Sequence, residues 1–170
     1  MKTVVVYESH WGNTAAVARA IADGIGDGAV ALTTDEATEA VLEGVDLIVA
    51  GAPVMMFRLP SDGTVAKIKP SAGEAEPDLT HSAMKTWLDL LPRGSGRSAA
   101  FETRLGWSLG GATSAIEKGL AAAGYRPFAK ARKFVVTGKT GPLREGELEG
   151  ARTWGTELRR ALAAELVPAL

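Results

Sequence analysis

The stretch Thr3-Val4-Val5-Val6-Tyr7-Glu8-Ser9-His10-Trp11-Gly12-Asn13-Thr14 decides the architecture. Its opening residues, Thr3–Tyr7, are β-branched or aromatic and almost continuously apolar, as a parallel strand covered on both faces must be. A polar, turn-forming segment follows. Asn13–Ile25 then sets Val17, Ile21 and Ile25 one helical turn apart and stops at Gly26 and Gly28. Strand, short polar turn and helix in that order open a β/α repeat.

Further strand-like runs lie at residues 29–32, 45–50, 98–103 and 133–137. Between and after them come helical patterns. Residues 114–123 carry Ile116 and Leu120 and stop at Gly124, and the last segment spaces Leu148, Ala151, Gly155, Leu158 and Leu162 by threes and fours. Residues 34–44 predict a short helix. The connection 51–97 holds Pro60, Pro70 and Pro77, with one helical pattern at 84–91. Its length fits either a functional loop or an ornamented crossover. The alternation predicts an α/β fold of three layers, α/β/α, around a five-stranded parallel sheet in a single domain spanning residues 1–170.

Composition narrows the chemistry. The 170 residues include 19 basic and 20 acidic side chains, a net charge of -1, which offers no bulk field for nucleic acid or an anionic membrane. Cysteine is absent and there are two histidines, so thiolate and clustered-metal chemistry have almost no ligands, and no metal site is expected. The apolar run before Glu8 is too short for a secretory signal, and residues 45–57 contain Asp46 and Pro53 and fall short of the ~18 residues of a membrane span. A cytoplasmic protein without membrane insertion is expected.

In an open parallel sheet ligands bind beyond the carboxyl ends of the strands, so the turns after the first, third and fourth strands matter most. In the first turn, the Ser9 and Thr14 hydroxyls and the Asn13 amide can donate, and Gly12 lets the backbone approach closely. Successive N–H groups there meet a helix N-terminus, which makes an uncharged cradle for phosphate. The same residue types also serve ordinary helix capping, and composition alone does not separate the two.

The run Tyr7 to Thr14, a strand followed by Ser, two residues and Gly-Asn-Thr, resembles the signature of the flavodoxin family. Ala99-Ala100-Phe101-Glu102-Thr103-Arg104 with Gly110-Gly111-Ala112 is similar to that family's fourth strand and second flavin loop. Gly141-Pro142-Leu143, Gly146-Glu147-Leu148 and Trp154-Gly155 resemble the tail of some flavodoxin-domain proteins. The resemblance implies strand order 2-1-3-4-5, an uninterrupted fifth strand as in the short-chain type, and FMN as cofactor. It places Ser9, His10, Trp11, Gly12, Asn13 and Thr14 on the phosphate, and Pro53, Val54, Met55, Met56 and Phe57 on the inner side of the flavin. Glu102, Thr103 and Arg104 fall where backbone N–H groups reach its pyrimidine edge, with Trp107 near the outer stacking aromatic.

The third-strand turn departs from the family pattern, with Met55-Met56-Phe57 where an aromatic-glycine pair is usual. Methionines there can pack on a ring or belong to the core. Arg58 or Arg104 beside a flavin would favour its anionic reduced form and raise the reduction potential. His10 reads as either a cation beside the phosphate or a solvated loop residue.

Other motifs fail on chemistry. Gly106-Trp107-Ser108-Leu109-Gly110 matches a nucleophile elbow, but both His10 and His81 precede Ser108 and none follows. Gly138-Lys139-Thr140 resembles the end of a phosphate loop, yet Lys133 stands where its first glycine is required. A receiver domain needs an aspartate where Gly51 and Ala52 stand. Lys130, Arg132 and Lys133 read as a solvated edge or a dock for an acidic partner. The expected function is an FMN-binding electron carrier serving a redox partner protein or a small acceptor such as a quinone. The alternatives are a flavin-dependent NAD(P)H or quinone-type reductase, and an interaction module that has lost FMN.

Overall fold

The computed structural model describes residues 1–26 and 28–166. In chain order the elements are β1 (Thr3–Tyr7), α1 (Asn13–Ile25), β2 (Val30–Thr33), α2 (Glu39–Leu42), β3 (Leu47–Pro53) and α3 (Asp62–Val65). They continue with α4 (Met84–Asp89), β4 (Arg97–Leu105), α5 (Thr113–Ala122), β5 (Arg126–Pro127), β6 (Arg132–Val136) and α6 (Glu147–Leu166).

The strands pair in parallel in the order β2-β1-β3-β4-β5, with β6 also on β4, which is the predicted 2-1-3-4-5 arrangement. The fifth position is not one uninterrupted strand. β5 pairs with Arg97 and Ser98, β6 pairs with the Phe101 to Leu105 end, and after the Phe128 N–H bond to Ser98 residues 129–131 leave the ladder between them. Arg126 and Phe128 donate to the Gly96 and Ser98 carbonyls at 2.9 Å each, and the Pro127 nitrogen between them faces the free edge, where no N–H is needed.

Side-chain alternation along β1 builds a core on each face of the sheet. Val4 and Val6 join Ile48, Met84, Ile116 and Leu120 on one side. Val5 and Tyr7 join Leu47, Phe101, α1 and α6 on the other. α1 and α6 approach closely because each brings a glycine to the contact: a Cβ on Gly155 would collide with the Ile21 carbonyl, and one on Gly24 with that of Arg152. This packing fixes α1, and so fixes where its N-terminus points. No helix among the described residues is long and apolar enough to cross a membrane.

Candidate functional site

β1 ends fully buried, and the chain turns through Glu8 to Gly12 before α1 begins. Gly12 adopts φ 88°, a left-handed conformation in which a side chain is strained, and it caps α1 without any side-chain hydrogen bond. Among the described residues, none of the main-chain N–H groups from His10 to Ala15 donates to a protein acceptor. The Ser9 hydroxyl is buried and likewise has no partner. Side chains border this nest: Thr14 Oγ1 meets Thr103 Oγ1 at 2.7 Å and can accept from it while keeping its own proton for a ligand, and Asn13 Nδ2 donates to the Thr140 carbonyl at 3.1 Å.

The turn after β3 is a tight one. Met55 and Arg58 exchange N–H to carbonyl bonds of 3.0 and 3.1 Å, and both residues between them have positive φ, 47° at Met56 and 67° at Phe57. Bulky side chains rarely take this conformation, and holding them there stores strain beside the cavity. Phe57 is secured from behind, since its carbonyl accepts the Gly111 N–H at 3.1 Å.

The Glu102 side chain has a structural role of its own. It is fully buried and does not reach the cavity. One carboxylate oxygen accepts the N–H groups of Ala112 and Thr113 at 2.6 and 3.0 Å, capping α5, and the other pairs with Arg104 Nη1 at 2.9 Å. A carboxylate suits a helix N-terminus. The Arg104 charge is therefore offset by Glu102 and is a weaker electrostatic lever on the site than the sequence implies.

His10 is buried, which overturns the solvated reading. Its Nε2 lies 2.9 Å from Glu8 Oε1 and its Nδ1 3.0 Å from the Asp78 carbonyl. Burial opposes a charged ring, but the Glu8 carboxylate and the Asp78 carbonyl outweigh it and hold His10 above the ordinary histidine value of 6.5. Asp78 belongs to the long crossover, which folds back over the first turn. Trp11 Nε1 donates to Ala75, the Asp78 N–H to the His10 carbonyl, and Ser9 N–H to His81 Nε2.

The three turns meet in a cavity of about 210 Å³ at the carboxyl end of the sheet. Of the residues expected there, Ser9, His10, Trp11, Asn13, Thr14, Pro53, Val54, Met55, Met56, Thr103 and Arg104 line it, while Gly12, Phe57, Glu102 and Trp107 do not. Trp107 is 73% exposed and stacks on no ring among the described residues. Leu105, Val136 and Lys139 join the lining without having been expected. Lys139, dismissed in the sequence with a false phosphate-loop motif, donates to Glu74 at 3.0 Å and lies 5.3 Å from the Trp11 ring. A larger recess of about 760 Å³, bordered by Glu39, Glu43, Arg93 and Tyr125, sits at the opposite end, before β3, β4 and β5 begin. The helix start on its rim, Thr38 to Ala40, opens only the four-residue α2 and carries the acidic Glu39 in its first turn.

No family model and no curated protein sequence matches the chain. Solved structures do. An archaeal flavodoxin superposes with TM-score 0.64 at 20% identity, covering 96% of this chain and 99% of that one. Flavodoxin 2 from Bacillus cereus gives TM-score 0.63 at 16% identity over 98% and 100%. Rubredoxin oxygen:oxidoreductase from Desulfovibrio gigas gives 0.62 at 19% over 98% of this chain but 37% of that longer one.

Proposed function

The fold is flavodoxin-like, and on it we propose that this chain binds FMN and works as an electron carrier. The observation that carries the reading is the nest at β1: unpartnered N–H groups from His10 to Ala15 and the orphaned, buried Ser9 hydroxyl. Such donors suit a phosphate dianion, which needs several hydrogen bonds at a helix N-terminus and no lysine. The donor set fits FMN. Ser9, Thr14 and the main-chain amides would hold its phosphate, while Val54, Met55 and Met56 offer an apolar, polarisable wall for its ring. Bound FMN would supply the redox chemistry, and the chain would supply binding, orientation and exclusion of water. Arg104 is already paired with Glu102 and Lys139 with Glu74, so Arg58, exposed on the strained turn next to the lining, is the cation left to favour a reduced, negative ring and raise the potential.

One feature favours a second reading, a flavin-dependent reductase of quinone-like acceptors. Met56, Phe57, Trp107 and Leu109 are 74%, 55%, 73% and 74% exposed on the two turns that meet at Gly110 and Gly111. Apolar side chains held out in this way suit a flat, apolar acceptor or a partner protein.

Titration of ligand-free protein with FMN, followed by quenching of flavin fluorescence, tests the proposal. Saturable quenching is expected, weakened about tenfold or more by Thr14→Ala, which removes a charge-assisted hydrogen bond. No quenching at any concentration would leave the interaction-module reading instead. Steady-state NAD(P)H oxidation with a quinone would favour the reductase over the carrier.

A further inference from the structure

The two histidines make opposite demands on protons. His10 Nδ1 faces the Asp78 carbonyl at 3.0 Å, which can only accept, so that nitrogen carries a proton. His10 Nε2 faces Glu8 Oε1 at 2.9 Å, and that contact also needs a proton, which the more basic imidazole holds. The second Glu8 oxygen accepts the Met84 N–H at 2.8 Å. His10 is thus an imidazolium. His81 Nε2 instead accepts the Ser9 N–H at 3.0 Å, so it is bare, and the ring's single proton lies on Nδ1, buried and 3.8 Å from Asp78 Oδ2. The rings stack with centroids 5.9 Å apart and planes 14° from parallel.

Resting on the reading of the first turn as a phosphate nest, we propose that His10 and His81 are its positioning residues. They lock it to the crossover only while His10 carries two ring protons and His81 one. Loss of a proton from His10 sets a lone pair against the buried Glu8 carboxylate. Gain of one by His81 sets N–H against the Ser9 N–H. Either event unlatches residues 75–84 from the turn and turns Ser9 away from the ligand. The groups facing the pair are Glu8 at the end of β1, Asp78 on the crossover, Asp35 after β2, which holds the Ser82 N–H at 3.0 Å, and Lys139 beyond Trp11. Hydrogen bonds from Thr80 and from Ser82 keep Asp78 and Asp35 below the ordinary carboxylate value, so both stay anionic around the pair.

Two measurements test this. In the ligand-free chain, ¹⁵N NMR near neutral pH should show His10 protonated on both nitrogens and His81 on Nδ1 alone. Ser9 amide protection should be lost in His81→Ala and kept in His81→Gln, whose amide oxygen can accept the bond but cannot be protonated. In FMN titrations from about pH 5 to about pH 9, affinity should fall toward the alkaline end, where His10 gives up its second ring proton. The ester's own ionisation near pH 6 acts on both proteins alike, so the ratio of wild-type to His10→Asn affinity isolates the His10 proton and should drop roughly tenfold in alkali. A bare nitrogen on His10, or a ratio flat across the range, overturns the proposal. Failure of FMN to bind at every pH would instead refute the cofactor reading, and the ligand-free NMR would still judge the latch.

Discussion

Replacing Glu102 by alanine should be among the most damaging single changes near the site, although no ligand contact is lost. The side chain is fully buried, holds Arg104 at 2.9 Å and caps α5 through the Ala112 and Thr113 N–H groups at 2.6 and 3.0 Å. Removing one partner of a buried pair costs about 3 to 5 kcal/mol, because the other charge is left uncompensated. Each orphaned N–H costs about 1 to 3 kcal/mol on its own. These losses overlap, since one carboxylate serves all three donors and Arg104, whose side chain is 11% exposed, also donates to the Gly110 carbonyl. A total of about 4 kcal/mol is expected, a large part of the roughly 5 to 15 kcal/mol that stabilises a domain. With a urea slope of about 2 kcal/mol/M, the unfolding midpoint should move by about 2 M. Glu102→Gln keeps an acceptor for the helix but loses the charge, and should fall about halfway. A double-mutant cycle with Arg104→Ala should return a coupling of about 1 to 3 kcal/mol. A midpoint shift for Glu102→Ala under about 0.5 M, with an unchanged slope, would refute the assignment of Glu102 as cap and counter-ion.

Phe57→Gly should stabilise the chain by about 1 kcal/mol by relieving a left-handed bulky residue at φ 67° that is more than half exposed. A lowered urea midpoint would show that Phe57 packs usefully where it stands. Gly110→Ala should do the reverse, by about 1 to 3 kcal/mol, because its Cβ would collide with the Phe57 carbonyl at a position of φ 68°; an unchanged midpoint would contradict the close approach of the two turns. His10 has a raised folded-state pKa, so its contribution is fully present below the unfolded value near 6.5 and is lost as pH rises through the folded one. The stability difference between wild type and His10→Asn should therefore narrow above neutrality, and a difference that widens there would mean that His10 is held neutral.

The opening strand, the first turn and α1 are legible in the sequence because each is a local pattern, and their contacts run along the chain or to the adjacent strands. The crossover latch is not. Ser9 meets His81 across 72 residues and Glu8 meets the Met84 amide across 76, so nothing in the vicinity of Ser9 announces either bond. The Glu102 side chain is a related case, because its carboxylate caps a helix that starts ten residues later and nothing beside it in the sequence points there. Lys139 was discarded with a failed motif, although the fold carries the end of β6 to the same cavity. The split at the sheet's edge is not legible, because two paired residues, Arg126 and Pro127, are too few to show a strand period.

The central claim is that a phosphate ester is held by the amides between β1 and α1, and amide shift mapping with FMN tests it most directly. Adding FMN to ¹⁵N-labelled protein should move the resonances of residues 10–15 and of Thr103 most. The recess around Glu39, Glu43 and Tyr125 should stay still. Shifts concentrated in that recess, with residues 10–15 unmoved, would place the ligand at the wrong end of the sheet and contradict the assignment of the nest.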